Sequence, residues 1–167
     1  NKKVLHTNNC IIASGGLPLP SIGGDDFGIK TAKKLGIPVQ ETEEALVPIK
    51  AKEFSCLSGI SIPVEIKINK SITINDDLLF THKGLSGPAI LKATLYFNKS
   101  NSFNINFAPG KTLDQLLNQK NNKLLKNSLS DYFPGRLTDY FINNAAVRNL
   151  PAKELSKKEL NRLETNL

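Results

Sequence analysis

The feature that most restricts the fold is a two-residue apolar period in the middle of the chain. In SIPVEIKINKSITIN, residues 61–75, apolar and polar residues alternate and β-branched side chains are frequent, which is typical of strands with one solvated face. Shorter alternating segments occur nearby, in ALVPIKA, DDLLFTH and SFNINFAPG. This pattern predicts a small antiparallel barrel or sandwich over residues 45–110, interrupted by a helix that begins at Pro88. Asn69-Lys70 is the expected hairpin turn between two of its strands.

After Gly110 the apolar spacing changes to three and four residues. The segments TLDQLLNQKNNKLLKNSLSDYF, PGRLTDYFINNAAV and SKKELNRLETNL contain several Ser or Asp caps. Pro134-Gly135 and Pro151 interrupt the pattern. The spacing therefore predicts a small lobe of three or four helices over residues 111–167.

The helical lobe is also the more basic part of a chain whose formal net charge is +7. Residues 111–167 carry ten basic and six acidic side chains, which could serve as an electrostatic footprint for RNA. However, the lysines alternate with Asp and Glu along the expected helix faces, and no interleaving of aromatic residues with arginine accompanies them. The favoured interpretation of this charge pattern is a solvated helix surface.

The first part of the chain has the pattern of a strand, a glycine-rich crossing and a helix. The apolar run Cys10–Ala13 ends at Ser14–Gly16, as a buried parallel strand does when another group must approach its end. In SIGGDDFGIKTAKKLG, Asp25 or Asp26 caps a helix that ends at Gly36. The Gly-x-Gly-x-x-Gly fingerprint is absent, so on pattern alone these residues can complete a dinucleotide site but not form one.

A polar turn lies between two apolar runs in LLFTHKGLSGPAIL, residues 78–91. A hydrolase elbow needs Gly-x-Ser-x-Gly followed by a histidine, whereas residues 84–88 lack the second glycine and His6 lies upstream of the serine. Pro88 is instead typical of a helix start, whose free amides could also bind an anion. His82 is the best candidate for a function here, because it stands beside a lysine at a strand end.

Composition excludes several classes of protein. No apolar window reaches the roughly 18 residues of a membrane span, and the N-terminus lacks the apolar core of a signal peptide. Cys10 and Cys56 stand far apart with no CxxC motif, so neither zinc nor a disulfide is indicated. We therefore expect a cytoplasmic protein with no membrane partner and no metal. Since the chain has no methionine, we expect it to be a piece of a longer protein.

Four blocks in order, CIIASGGLPLPSIGGDDFGIKTAKKLGI, ALVPI, LSGISIPVEI and LLFTHKGLSGPAIL, resemble the BaiN/YhiN-type flavoproteins, a family of NAD(P)/FAD-dependent oxidoreductases. The resemblance runs from Cys10 to Leu91. It implies an α+β architecture in which residues 1–44 are the remnant of a Rossmann-like FAD-binding domain. An insert follows, with a small antiparallel β-barrel at 45–110 and a helical bundle at 111–167.

The resemblance also implies a function. FAD would pass hydride from NAD(P)H to an unsaturated or oxidised substrate, while the insert covers the flavin and shapes the substrate site. The missing FAD-domain segments are the expected partners, so this fragment alone should be inactive and should not retain FAD. Two alternatives stay open: an RNA-binding module of an RNA-modifying flavoprotein, and a purely structural insert. The substrate is accordingly a small molecule or RNA, and the sequence indicates no oligomeric state.

Carried onto this chain, the resemblance implies three groups of site residues. His82 is the expected catalytic residue, as a proton donor or a hydrogen-bond donor to a substrate carbonyl. The expected substrate-binding residues are Thr81, Gly84, Ser86 and Gly87. The expected cofactor-binding residues are Ser14, Gly15 and Gly16.

Overall fold

The computed structural model describes residues 3–69, 71–96, 102–117 and 122–167. The chain forms two compact units, Asn1–Glu43 and Glu44–Leu167. No helix within the described ranges is both long enough and apolar enough to cross a membrane.

The first unit contains a short 3-10 helix, Pro20–Ile22, and the helix α1, Phe27–Lys34. Asp26 occupies the N-cap position of α1, but the carboxylate of Asp25 accepts the Phe27 N–H at 2.9 Å. Two lysines lie in the last turn of α1, where a positive charge interacts favourably with the helix dipole. The helix expected from the Asp-capped pattern is therefore present.

The buried strand predicted at Cys10–Ala13 is not present, and this prediction is wrong for the chain as described. These residues have no regular secondary structure, and Ile11 is 90% exposed. A strand forms only where neighbouring strands satisfy its backbone groups, and residues 3–43 contain no other strand. The Rossmann-like remnant predicted for residues 1–44 is consequently not confirmed.

The second unit contains a five-stranded antiparallel sheet that curls into a half-barrel, in the order β1-β4-β3-β2-β5. Along β2 the side chains alternate between the core and solvent, so the two-residue period predicted this part correctly. Asn69 closes the β2–β3 turn by accepting the N–H groups of Ser71 and Ile72; Lys70, predicted in the same turn, lies outside the described residues. The strands are β1 Ile49–Lys50, β2 Ser61–Lys67, β3 Thr73–Thr81, β4 Gly84–Ser86 and β5 Asn104–Asn106.

Several helices accompany this sheet. The helix α2, Pro88–Ala93, begins where the sequence predicts it and buries Ala89, Ile90 and Ala93 against the sheet. Pro134 provides the N-cap of α5, so one expected break is a helix start. The remaining helices are α3 Leu113–Leu117, α4 Leu125–Ser130, α5 Gly135–Asn144 and α6 Lys157–Asn166, with a short 3-10 helix at Ala152–Glu154.

One apolar core runs through the sheet and the helices of this unit. Phe80 of β3 stacks on Phe107 with ring centroids 6.2 Å apart, and Phe107 contacts Phe141 of α5 at 5.3 Å. Phe141 also contacts Phe133 at 5.3 Å. Such aromatic pairs contribute about 0.5–1.5 kcal/mol each beyond their burial, so they fix the helices on the sheet.

A buried carboxylate fixes the start of α6. Glu159 accepts two hydrogen bonds from the Arg148 guanidinium, at 2.8 and 3.0 Å. The same carboxylate accepts the N–H and the hydroxyl of Ser156 at 2.9 and 2.8 Å, while the Ser156 hydroxyl accepts the Glu159 N–H. The hydrogen bond from Arg148, followed by those from Ser156, holds the pKa of Glu159 well below its usual range.

We expect Glu159→Gln to destabilise the second unit at neutral pH and to destabilise it much less in acid. A carboxylate whose pKa is lowered by folding stabilises the protein above its ordinary pKa, and this contribution is lost as the pH falls through the folded value. Urea unfolding at about pH 7 and at about pH 2, followed by circular dichroism, measures the two free energies of unfolding. An equal loss at both pH values would contradict the assignment.

Candidate functional site

The candidate site is the tight hairpin between β3 and β4. Thr81 ends β3, and its hydroxyl donates to the Gly84 carbonyl at 2.9 Å while accepting the N–H groups of Gly84 at 3.1 Å and Lys83 at 3.3 Å. These three hydrogen bonds of the Thr81 hydroxyl close the turn. As a result, His82 and Lys83 occupy the tip of the hairpin, and both are exposed.

Gly84 allows β1 to lie directly against the hairpin. Its φ is +143°, and a Cβ at this position would stand 2.1 Å from the Ile49 carbonyl oxygen and 2.4 Å from the Ala51 nitrogen. The Ala51 N–H donates to the Lys83 carbonyl at 3.2 Å. Backbone packing is therefore a sufficient reason for glycine at position 84.

Gly87 plays a similar role at the start of α2. Its φ is +90°, and a Cβ would stand 2.7 Å from the Leu79 nitrogen and 2.8 Å from the Asp77 carbonyl oxygen. The Gly87 carbonyl accepts the N–H of Leu91 at 3.0 Å and so begins the helix. Close contact between α2 and β3 thus requires the absence of a side chain at position 87.

His82 differs from the other residues of the turn because it takes no part in holding it together. Its side chain, like that of Lys83, has no hydrogen-bond or ion-pair partner within the described residues. Ser86, at the end of β4, is half-buried. The hairpin therefore presents an imidazole and an ammonium group to whatever binds at its tip.

The second candidate group, Ser14–Gly16, lies in the first unit. Gly15 has φ +76° with open space where a Cβ would be. The Ser14 hydroxyl oxygen is buried close to Gly28 in the first turn of α1, and it has no hydrogen-bond partner among the described residues. An unpaired buried hydroxyl costs about 1–3 kcal/mol, so this position favours a further polar partner.

The structure thus brings Thr81, His82, Gly84, Ser86 and Gly87 together in one hairpin and the adjoining helix start. Ser14, Gly15 and Gly16 lie together in the other unit. The roles assigned to both groups stay predictions.

Arg136 is a residue that the sequence reasoning missed. Its guanidinium donates to the carbonyls of Cys56 and Ser58, at 3.0 and 3.1 Å, and so ties α5 to the segment before β2. Cys56 and Arg136 line a shallow cleft of about 530 Å³ with Tyr140, whose pKa is raised chiefly by burial. The sequence gives no signal for this contact, because the partners are 78 and 80 residues apart.

A larger cleft of about 840 Å³ lies beside β5 and the end of α6. Half-buried Phe54, Phe103 and Phe107 line it together with Asn104 and Leu167. The Phe107 N–H donates to the Leu167 carbonyl, so the end of α6 is held against the edge of the sheet. These lining residues come from distant parts of the chain, and their convergence has no local sequence signature.

Comparison with known proteins identifies a family, and the relatives that match include two ribosomal RNA dihydrouridine synthases. The family model described as "HI0933-like protein barrel and H2TH domain" matches residues 43–167. A ribosomal RNA dihydrouridine synthase of Escherichia coli K12 is 32% identical over 166 residues, which is 94% of this chain and 42% of the relative. A ribosomal RNA dihydrouridine synthase of Haemophilus influenzae Rd is 33% identical over 163 residues, 93% of this chain and 41% of the relative. The chain therefore spans about two fifths of the length of these curated relatives.

We expect Gly87→Ala to destabilise the protein far more than Gly59→Ala, a control with a nearly identical φ of +89° and nothing within 4 Å of a Cβ. The control should lose about 1–2 kcal/mol from its left-handed backbone. Gly87→Ala should lose about 1–3 kcal/mol more, because its methyl group meets backbone atoms. Chemical unfolding of both variants gives the difference; similar losses would show that α2 does not need this close approach.

Proposed function

Because this chain belongs to the family of HI0933-like barrel and H2TH domain proteins, we propose that it is the substrate-side part of a flavin-dependent oxidoreductase that reduces uridine in RNA. The observation that carries the proposal is the similarity, over more than nine tenths of the chain, to two proteins named ribosomal RNA dihydrouridine synthase. Reduction of an unsaturated ring is the kind of reaction that the flavoprotein resemblance implies.

The proposed reaction converts the C5=C6 double bond of uracil into a single bond. One ring carbon receives a hydride and the other receives a proton, while NAD(P)H is oxidised to NAD(P)⁺. FAD, when bound by the complete protein, supplies the hydride. The protein has to hold the uracil ring, exclude competing water and deliver the proton.

His82 is the residue we assign to proton delivery. Imidazole is the side chain most often used for general acid catalysis, and this one is exposed at the hairpin tip without a partner in the described residues. Thr81 and Gly84 hold the tip in place through the bonds of the Thr81 hydroxyl. Ser86 and Gly87 follow directly, so the helix start would form the neighbouring wall of the substrate site.

Ser14, Gly15 and Gly16 are the residues we assign to the cofactor. The glycines present backbone without side chains, and the unpaired buried Ser14 hydroxyl offers a hydrogen bond to a polar group of a dinucleotide. The fit supports the assignment, because this hydroxyl has no partner within the chain as described.

The exposed apolar residues of the first unit support the same proposal. Ile11, Leu19, Ile22 and Phe27 are each more than half exposed, and a row of large apolar side chains in water marks a surface that another segment covers. The proposed cover is the remainder of the FAD-binding domain. In that setting Cys10–Ala13 would gain the strand partners that it lacks here.

The reaction is tested with the complete protein that contains this chain. Unmodified ribosomal RNA is incubated with the protein, FAD and NADPH or NADH, digested to nucleosides and analysed by mass spectrometry. We expect dihydrouridine to form with at least one nicotinamide. Reduction of small unsaturated compounds, with no dihydrouridine in any RNA offered, would contradict the proposal and favour a small-molecule substrate.

We expect His82→Ala to lower kcat for uridine reduction by about 10²–10⁴-fold, the usual range for loss of a general acid. Lys83→Ala is the matched control, since it alters the other exposed side chain of the same turn and should leave the chemical step nearly unchanged. Stopped-flow oxidation of the pre-reduced protein by RNA separates this step from binding. Equal rates for His82→Ala and the wild type would remove the proposed role.

A further inference from the structure

The helices α5 and α6 share an exposed face that is rich in amide and basic groups. Asn144 of α5 donates a side-chain hydrogen bond to Asn166 of α6. On either side of this bond lie two shallow clefts of about 530 and 470 Å³. The surface formed across them is here named the α5–α6 band, and it includes Arg136, Asp139, Asn143, Asn144, Lys158, Asn161 and Arg162.

The basic groups of the band are not neutralised by acidic groups within the described residues. Asp139 lies in the first cleft, but it pairs with Lys126 at 2.6 Å. Glu159 of α6 is held by Arg148. Lys158 and Arg162 have no ion-pair partner among the described residues, and the Arg136 guanidinium binds only neutral carbonyls there. The band therefore has a net positive charge.

The placement of these charges is unfavourable for α6 itself. Lys158 stands in the first turn, next to Lys157, where a positive charge opposes the helix dipole. Lys158 and Arg162 are four residues apart on one face, an arrangement that destabilises a helix when both charges have the same sign. An anion bound at this surface would attract both side chains and so offset both unfavourable terms.

We infer that the α5–α6 band binds the sugar-phosphate backbone of folded RNA, an inference that rests on the proposed function. Lys158 and Arg162 would contact phosphates, the groups that supply most of the affinity for nucleic acid. Asn143 and Asn161 add amide groups that both donate and accept hydrogen bonds. RNA uses both capacities, because its 2′-hydroxyls and base edges donate as well as accept, whereas the carboxylates of an acidic protein only accept.

The test measures binding of the 167-residue chain to a fluorescein-labelled transcript of ribosomal RNA by fluorescence anisotropy at several salt concentrations. The test variant carries Lys158→Ala and Arg162→Ala. The control variant carries Lys33→Ala and Lys34→Ala, which removes the same charge from exposed positions of α1. Circular dichroism and thermal unfolding confirm that both variants keep the wild-type fold, as alanine in an exposed helix should.

The test variant should bind on the order of tenfold more weakly at low salt. Its slope of log affinity against log salt should fall by about 1–2, since each lost phosphate contact removes about 0.7–0.9. The control variant should keep the wild-type slope. Equal weakening of the two variants, an unchanged test variant, or no RNA binding by the wild type at low salt would each overturn the inference.

Two further measurements distinguish RNA binding by the band from binding of an acidic protein and from the proposed reaction. Polyglutamate is added as a competitor, and displacement of RNA at equal charge concentration would indicate a surface for acidic proteins and overturn the inference. Dihydrouridine formation is measured separately with the complete protein. Band-dependent RNA binding without dihydrouridine would refute the proposed reaction alone, whereas dihydrouridine formation with full binding by the test variant would refute the band alone.

Discussion

The aromatic cluster that links β3 to α5 through Phe54 and Phe107 is the interaction on which the second unit depends. A curled sheet of five strands has one apolar face to cover, and α2 covers part of it. Phe80, Phe107 and Phe141 continue the core from the sheet into the helices, with Phe54 contacting both Phe80 and Tyr140 at 5.8 and 5.7 Å. The hairpin tip and the α5–α6 band therefore belong to one compact unit.

Much of this unit could be predicted from local pattern, because its strands and helices bury one face each. Ile62, Val64 and Ile66 are the buried positions of β2, as their two-residue spacing indicates, and Pro88 begins a helix. The prediction of a buried strand at Cys10–Ala13 failed because local pattern alone was not enough there. An apolar run indicates that burial is favourable, but the partners that provide the burial have to be present, and residues 3–43 do not contain them.

The sequence grouped the residues of the candidate site in one turn, but it did not give the structural reasons for their identity. The sequence assigned Gly84 and Gly87 to substrate binding, whereas the structure shows that a Cβ at position 84 would meet the backbone of β1 and one at position 87 the backbone of β3. Arg136 was missed for the same reason, since its carbonyl partners are remote in sequence. The close approach of one backbone to another in the folded protein leaves no periodic pattern and no motif in the sequence. It is therefore the part of the site that a single sequence does not reveal.

The individual ion pairs change how the basic charge of the helical lobe is interpreted. Alternation of lysine with acidic residues suggested a solvated and self-compensating surface, and Lys123, Lys126 and Arg148 are indeed paired with Asp131, Asp139 and Glu159. This pairing removes three basic and three acidic groups from the count, and Lys158 and Arg162 are among the basic groups that have no ion-pair partner within the described residues. Fixed charges of one sign that weaken the helix carrying them would be stabilised by an anion bound to that helix. An extended polyanion would stabilise these charges more than a single ion, because it can contact Lys158 and Arg162 at the same time.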